Sequence, residues 1–183
     1  MSNTTAPELR KMKKFRFLLL HKWIIDNFKP CKAADIGGGK GMLAYFLNNS
    51  GFQCTVIDPC EQPLLDKYKD LAGKKHTIPA GATVPRISRA FEKSMAQDFD
   101  ILIGLHAHGS NMKILEASAE YGKGFILLPC CVIDEPINIQ PDIDWFDSLE
   151  GYANKLAMKT GRFELNFSGQ NAGFYRIDKL LTR

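Results

Sequence analysis

The chain has 183 residues, of which 45% are hydrophobic and 24% charged, with a formal net charge of +4; this suits one globular domain with a sizeable core. Its longest apolar run near the N-terminus, residues 17–20, is too short for a signal h-region or a membrane span, so the expectation is a cytoplasmic protein that does not enter a membrane. The five cysteines (Cys31, Cys54, Cys60, Cys130 and Cys131) are odd in number and follow no secretion signal, which argues against a disulfide framework and for reduced thiols.

The charge is unevenly spread. Residues 1–32 carry eight basic and two acidic side chains, the remainder sixteen and eighteen. A basic leading segment on a near-neutral body points to an anionic partner such as RNA; the plainer reading is a solvated helix face. Residues 1–7 are expected to be disordered. Residues 9–28 read as one amphipathic helix, with Phe17, Leu20 and Ile24 at helical spacing, stopped by Pro30.

A regular alternation follows. Residues 32–36 form a strand candidate that runs into glycines, residues 42–48 a helix ended by Gly51, and residues 54–57 a strand ending in Asp58-Pro59. Residues 64–71 read as a short helix, 74–85 leave room for a short third strand, and 87–96 read as helical. Residues 100–105 are a buried strand and 112–121 a helix, with Ser110 as expected N-cap and Gly122 past its end. Residues 125–128 form a fifth strand, ended by Pro129. Residues 145–157 are helical, and 163–167 with 174–177 read as an antiparallel hairpin around SGQNAG.

Strands alternating with helices imply an α/β fold with a parallel sheet and right-handed crossovers. Five parallel strands closed by a hairpin make a Rossmann-like sheet, whereas a dinucleotide dehydrogenase would continue with parallel strands. No internal repeat or linker interrupts the chain. It reads as a single domain, 1–183, in which 1–30 form a basic helical extension.

The densest signal is Ala34-Asp35-Ile36-Gly37-Gly38-Gly39-Lys40-Gly41-Met42, which follows a strand and opens a helix. Gly37, Gly39 and Gly41 let the backbone turn tightly and approach a ligand, and the helix start offers free N–H groups to a carboxylate or phosphate. A dinucleotide fingerprint counted from Gly37 would place its third glycine or alanine at Met42 and so fails. The pattern D-x-G-x-G-x-G fits Asp35, Gly37, Gly39 and Gly41, and this resembles motif I of class I methyltransferases. That resemblance implies that the loop, Gly38 included, holds the methionine part of S-adenosylmethionine, while Asp35 orders the loop or meets the amino group. Asp58 ends the second strand, where a carboxylate accepts hydrogen bonds from both hydroxyls of a ribose. Its alternative role is that of a turn residue before proline. The adenine contacts are expected near residues 83–89.

The fourth strand ends in Leu105-His106-Ala107-His108-Gly109, at the sheet edge where open α/β folds bind ligands. Leu105 is assigned to the cofactor wall. His106 is the candidate base for removing an acceptor proton, since its ordinary pKa lies near neutrality, and His108 is a candidate substrate contact; both could instead hydrogen-bond loop backbone. Cys130 and Cys131 close the fifth strand. They read first as small buried hydrophobes. A zinc site or a catalytic thiol is a weaker alternative: adjacent cysteines grip one ion awkwardly and H-x-H is not a standard structural-zinc spacing, so no metal is expected. Asn171, in the hairpin turn, is a candidate substrate contact or a turn-former.

Three segments carry a narrower resemblance: ADIGGGKGMLAYFLNNSGFQCTVIDP, ILIGLHAHGSNMKILEASAEYGKGFILLPCCV and FELNFSGQNAGFYRI. In order they resemble a group of poorly characterised methyltransferase-like proteins with a P-C-C element and, more distantly, the tRNA (uridine 2′-O-)methyltransferase family. The resemblance covers roughly residues 32–178. It departs where His108-Gly109-Ser110 stands in place of an expected acidic residue, and where Cys60 stands in place of an arginine. It implies the class I sheet, S-adenosylmethionine as cofactor, and an RNA acceptor of the tRNA kind, met by the basic N-terminal helix. The rival readings are a small-molecule methyltransferase with that helix as a lid, a non-catalytic cofactor-binding or interaction protein, and, more distantly, an NAD-dependent oxidoreductase. Neither the acceptor atom nor the oligomeric state is readable.

Overall fold

A computed structural model describes residues 10–131, 134–137, 144–177 and 181–183; the disorder expected for residues 1–7 lies outside them. The elements are α1 (Arg16–Asn27), β1 (Lys32–Ile36), α2 (Met42–Asn48), β2 (Gln53–Ile57), β3 (Lys67–Lys69), β4 (Lys75–Thr77), β5 (Arg86–Ile87), β6 (Ile101–Leu105), α3 (Asn111–Tyr121), β7 (Gly124–Leu128), α4 (Trp145–Lys155), β8 (Gly161–Glu164) and β9 (Ala172–Arg176). Seven strands form one sheet in the order β5-β2-β1-β6-β7-β9-β8. The first five run parallel, and β9 and β8 close the edge antiparallel.

The central strands are buried on both faces, which is why they read as near-continuous apolar runs. Alternation divides their side chains. Ala34, Ile36, Leu102, Phe125 and Leu127 pack with α3 and α4, whereas Ala33, Ile101, Ile103, Ile126 and Leu128 pack with α1 and α2. Helix α1 therefore belongs to the core: Leu20 and Ile24 are fully buried, and Trp23 stacks on Phe163 of β8 with ring centroids 3.8 Å apart.

Helix α1 starts later than its periodicity predicts. Lys11 instead pairs with the segment before the closing hairpin turn, its N–H donating to the Asn166 carbonyl at 3.0 Å and its carbonyl accepting from the Ser168 N–H at 2.8 Å. A 3-10 turn, Lys13–Phe15, then leads into the helix.

Two predicted helices do not form. Residues 64–71 enter the β3–β4 hairpin because the Asp70 carboxylate accepts the N–H groups of Ala72 (3.0 Å) and Lys74 (2.9 Å) and pairs with His76 at 2.7 Å. Those local bonds close a turn in place of a helix. Within 87–96, Ile87 pairs with Ile57 as the sheet edge, Phe91 and Met95 enter the core, and only Lys93–Asp98 coils, as a 3-10 helix. Ser110 stands at the N-cap of α3 but makes no side-chain cap bond. The Glu135 carboxylate caps that end, accepting the N–H groups of Asn111 (2.8 Å) and Met112 (3.1 Å), where the helix dipole favours negative charge.

If α1 is part of the core, Ile24→Ala should cost roughly 2–5 kcal/mol in urea-induced unfolding. Lys22→Ala, which breaks only an exposed pair with Asp26, should stay within about 0.5 kcal/mol. Equal, small losses for both would show α1 to be peripheral.

Candidate functional site

The glycine loop sits above the carboxyl end of β1. Gly37, Gly39 and Gly41 all have left-handed φ, +66°, +52° and +77°, which glycine adopts without a Cβ clash. The packing is close as well. A Cβ on Gly41 would lie 2.7 Å from Val84 Cγ2, and one on Gly37 would lie 3.2 Å from the Ala107 Cβ.

Two side chains from neighbouring strand ends grip the loop. Asp58 Oδ2 accepts the Gly39 N–H at 2.9 Å, while its Oδ1 accepts the Cys60 N–H at 2.8 Å. Arg86 donates from Nη2 to the Gly39 carbonyl at 2.6 Å. Asp58 thus organises the loop, and each of its oxygens retains a further lone pair for a ligand hydroxyl. Arg86 escaped the sequence reading because its segment had no clear period; a lone arginine following Val84-Pro85 was the only signal.

Asp35 lies beneath the loop, 2% exposed. Its Oδ2 has no hydrogen-bond partner among the described residues, and an ideal Cβ on Gly38 would stand 2.5 Å from it. Burial, opposed by a backbone hydrogen bond and reinforced by Asp58, pushes its carboxyl up to about 7. A buried carboxylate with one oxygen unpartnered under a glycine cradle fits the amino group of an amino-acid-bearing cofactor, since a cation there would supply the missing partner.

Beside the loop opens a crevice of about 380 Å³, lined among others by Gly37, Asp58, Phe91, His106, His108 and Lys113, a size suited to a small ligand. Ala90 and Phe91, just past the stretch expected to meet adenine, line it. Thr83 and Val84 border a separate cavity. Leu105 does not line the crevice: strand alternation turns it into the α1/α2 face of the core with Ile101 and Ile103.

His106 holds a left-handed φ of +57°, an uncommon conformation for a residue with a Cβ. Its N–H donates to the Leu128 carbonyl at 3.0 Å. Its Nε2 lies 3.1 Å from the Gln170 carbonyl, which requires a proton on Nε2 and leaves Nδ1 as the acceptor in the neutral ring. Burial, aided by Lys13 and Arg16, lowers its pKa below the ordinary histidine value despite that bond. The basic turn ahead of α1 therefore stands near His106.

His108 is exposed and faces two thiols, with Nε2 3.2 Å from Cys130 Sγ and Nδ1 3.2 Å from Cys131 Sγ. Both cysteines are half-buried, not core hydrophobes. Burial and the neighbouring thiol hold Cys130 up at about 11, which does not suit an activated nucleophile. Asn171 is buried, and its amide donates to the Leu165 carbonyl at 2.7 Å and to Glu164 Oε1 at 3.0 Å; those bonds tie the hairpin turn together.

No protein-family model matches the chain. Over 102 residues, 55% of this chain, it is 28% identical to a Homo sapiens protein described as a probable tRNA (uracil-O(2)-)-methyltransferase, and the stretch is 12% of that protein. A Caenorhabditis elegans protein of the same description is 31% identical over 104 residues, 56% of this chain and 18% of the relative. The matched stretch thus spans less than a fifth of either relative. Among solved structures, the SAM dependent methyltransferase from Agrobacterium tumefaciens superposes with a TM-score of 0.51 at 12% identity, over 88% of this chain and 60% of that one. With the sheet order observed here, the chain has the class I methyltransferase fold.

The Asp35 carboxyl has a measurable consequence. Its pKa is higher folded than unfolded, so it favours the fold at low pH, and that contribution is lost as pH rises from about 4 through about 7. Asp35→Asn should therefore melt above the native chain at pH 8, and the gap should narrow at pH 5. An unchanged gap across that range would mean the carboxyl is solvated.

Proposed function

We propose that the protein is an S-adenosylmethionine-dependent methyltransferase whose acceptor is an RNA. The observation that carries the cofactor is the unpartnered Asp35 Oδ2 under three left-handed glycines, with Asp58 at the end of the adjacent strand. In this reading Gly37 to Gly41 and Asp35 hold the amino-acid end, Asp58 accepts from the ribose, and Ala90 and Phe91 face the base. Bound S-adenosylmethionine supplies an electrophilic methyl group. The chain's own work is to position the acceptor against it, worth up to about 7–11 kcal/mol of barrier in favourable cases, and to take the acceptor proton at His106 Nδ1. The Gln170 carbonyl fixes the tautomer, and the lowered pKa keeps the ring neutral near pH 7.

The RNA acceptor is supported by the relatives' descriptions and by charge. A groove of about 410 Å³ runs between the start of α1 and the β3–β4 hairpin, and its lining includes Arg16, Phe17, Lys67, Tyr68, Lys69 and Lys75. Lysines interleaved with aromatic rings suit a nucleic-acid strand, through phosphate contacts and base stacking. A small-molecule enzyme with α1 as a lid is less favoured, because α1 is built into the core. No described helix is long and apolar enough to cross a membrane. We infer a cytoplasmic protein, in which its thiols stay reduced.

Calorimetry should show S-adenosylhomocysteine binding and no NADH binding, with affinity falling at least about tenfold in Asp58→Ala, a loss of one charge-assisted hydrogen bond or more. The opposite ligand preference would refute the cofactor. His106→Ala should leave that affinity intact and slow methylation by about 10²–10⁴-fold. The native rate should rise with pH through an inflection below 6.5 and then level.

RNA association should weaken steeply with salt, and Lys67→Glu with Lys69→Glu should reduce the slope by about one for each phosphate contact removed. Salt-insensitive association, or an unchanged slope, would move the acceptor to another surface or another molecule.

A further inference from the structure

One cluster of chemically active side chains takes no part in the proposed methyl transfer, although its histidine lines the crevice. Cys130 and Cys131 follow β7, and His108 follows β6, its immediate neighbour in the sheet. The two sulfurs lie 3.6 Å apart, and His108 Nε2 lies 3.2 Å from Cys130 Sγ and 4.0 Å from Cys131 Sγ. Tetrahedral zinc, with Zn–S of about 2.3 Å and Zn–N of about 2.0–2.1 Å, holds its ligand atoms roughly 3.5–3.8 Å from one another. The three edges here bracket that spacing. Adjacency in sequence, which argues against a shared ion, does not prevent it, because the chain leaving β7 turns both sulfurs toward one imidazole.

We propose that His108, Cys130 and Cys131 form a three-ligand site for a thiophilic divalent cation of the zinc class, its fourth position left to solvent or an external ligand. Binding displaces one proton from each thiol to bulk water; the two thiolates and the neutral imidazole each donate a lone pair, and no oxidation state changes. Zinc with two thiolates carries no net charge, so Lys13 and Arg16, which stand close to Cys130, do not oppose it. The ion ties the loop that follows β6, which lines the crevice through His106 and His108, to the chain leaving β7. The site stands whether or not that crevice binds an adenosyl cofactor.

The test uses the full chain, purified under reductant, equilibrated with zinc and dialysed against metal-free buffer. Plasma mass spectrometry should find one zinc per chain. His108→Ala, Cys130→Ser and Cys131→Ser should each lose it, while Cys31→Ser and Cys60→Ser keep it. Cobalt in place of zinc should give a thiolate-to-metal charge-transfer band that disappears in the Cys130→Ser/Cys131→Ser double variant. Circular dichroism of each variant separates lost ligation from lost fold. Absence of bound metal in the native chain, or metal retained by the folded double variant, would overturn the site.

Discussion

A loop of three left-handed glycines does not hold its own shape; in this protein it is held from both sides. The Gly39 N–H is accepted by Asp58, just past β2, and the Gly39 carbonyl is met by Arg86 of β5, the next strand out. That pair of charge-assisted bonds keeps the backbone arched over β1, and the arch seals Asp35 from water. The candidate site depends on this arrangement: the cavity beside the loop, the buried carboxylate below it and the close approach of Gly37 to Ala107 all follow from where Gly39 is fixed.

The far side of the crevice is built by the segment that follows β6 and by the start of α3. The antiparallel hairpin brings Gln170 to His106, and the segment at Lys11 is strapped to the same hairpin. The basic turn ahead of α1 and the histidine therefore share one neighbourhood, although roughly ninety positions separate them in the chain. A Rossmann-like sheet places strand ends side by side, so loops distant in sequence converge at one edge. The same convergence brings His108 to the paired cysteines.

The bounds of β1 and α2 were legible because an apolar run passes directly into glycines and then into a helical period. Gly122 ends α3 in the left-handed form expected of it. The helices expected at 64–71 and 87–96 were misread because Asp70 closes a turn with nearby amides and because Ile87 finds a partner strand in Ile57. Asn171 and Leu105 sat at the right places in the chain, but their side chains are used by the hairpin turn and by the core.

By itself, the sequence determined the central strands, the helices that follow β1, β6 and β7, the Rossmann-like class, the glycine turn and the two carboxylates around it. These are properties of residues a few positions apart, and short-range sterics and periodicity suffice to set them. Only the tertiary structure decided that Asp58 and Arg86 clamp the loop, that α1 is core, that Glu135 and not Ser110 caps α3, and that His108 meets two thiols. Each of those depends on which strands become neighbours, and that is settled by burial of the whole sheet between its helices.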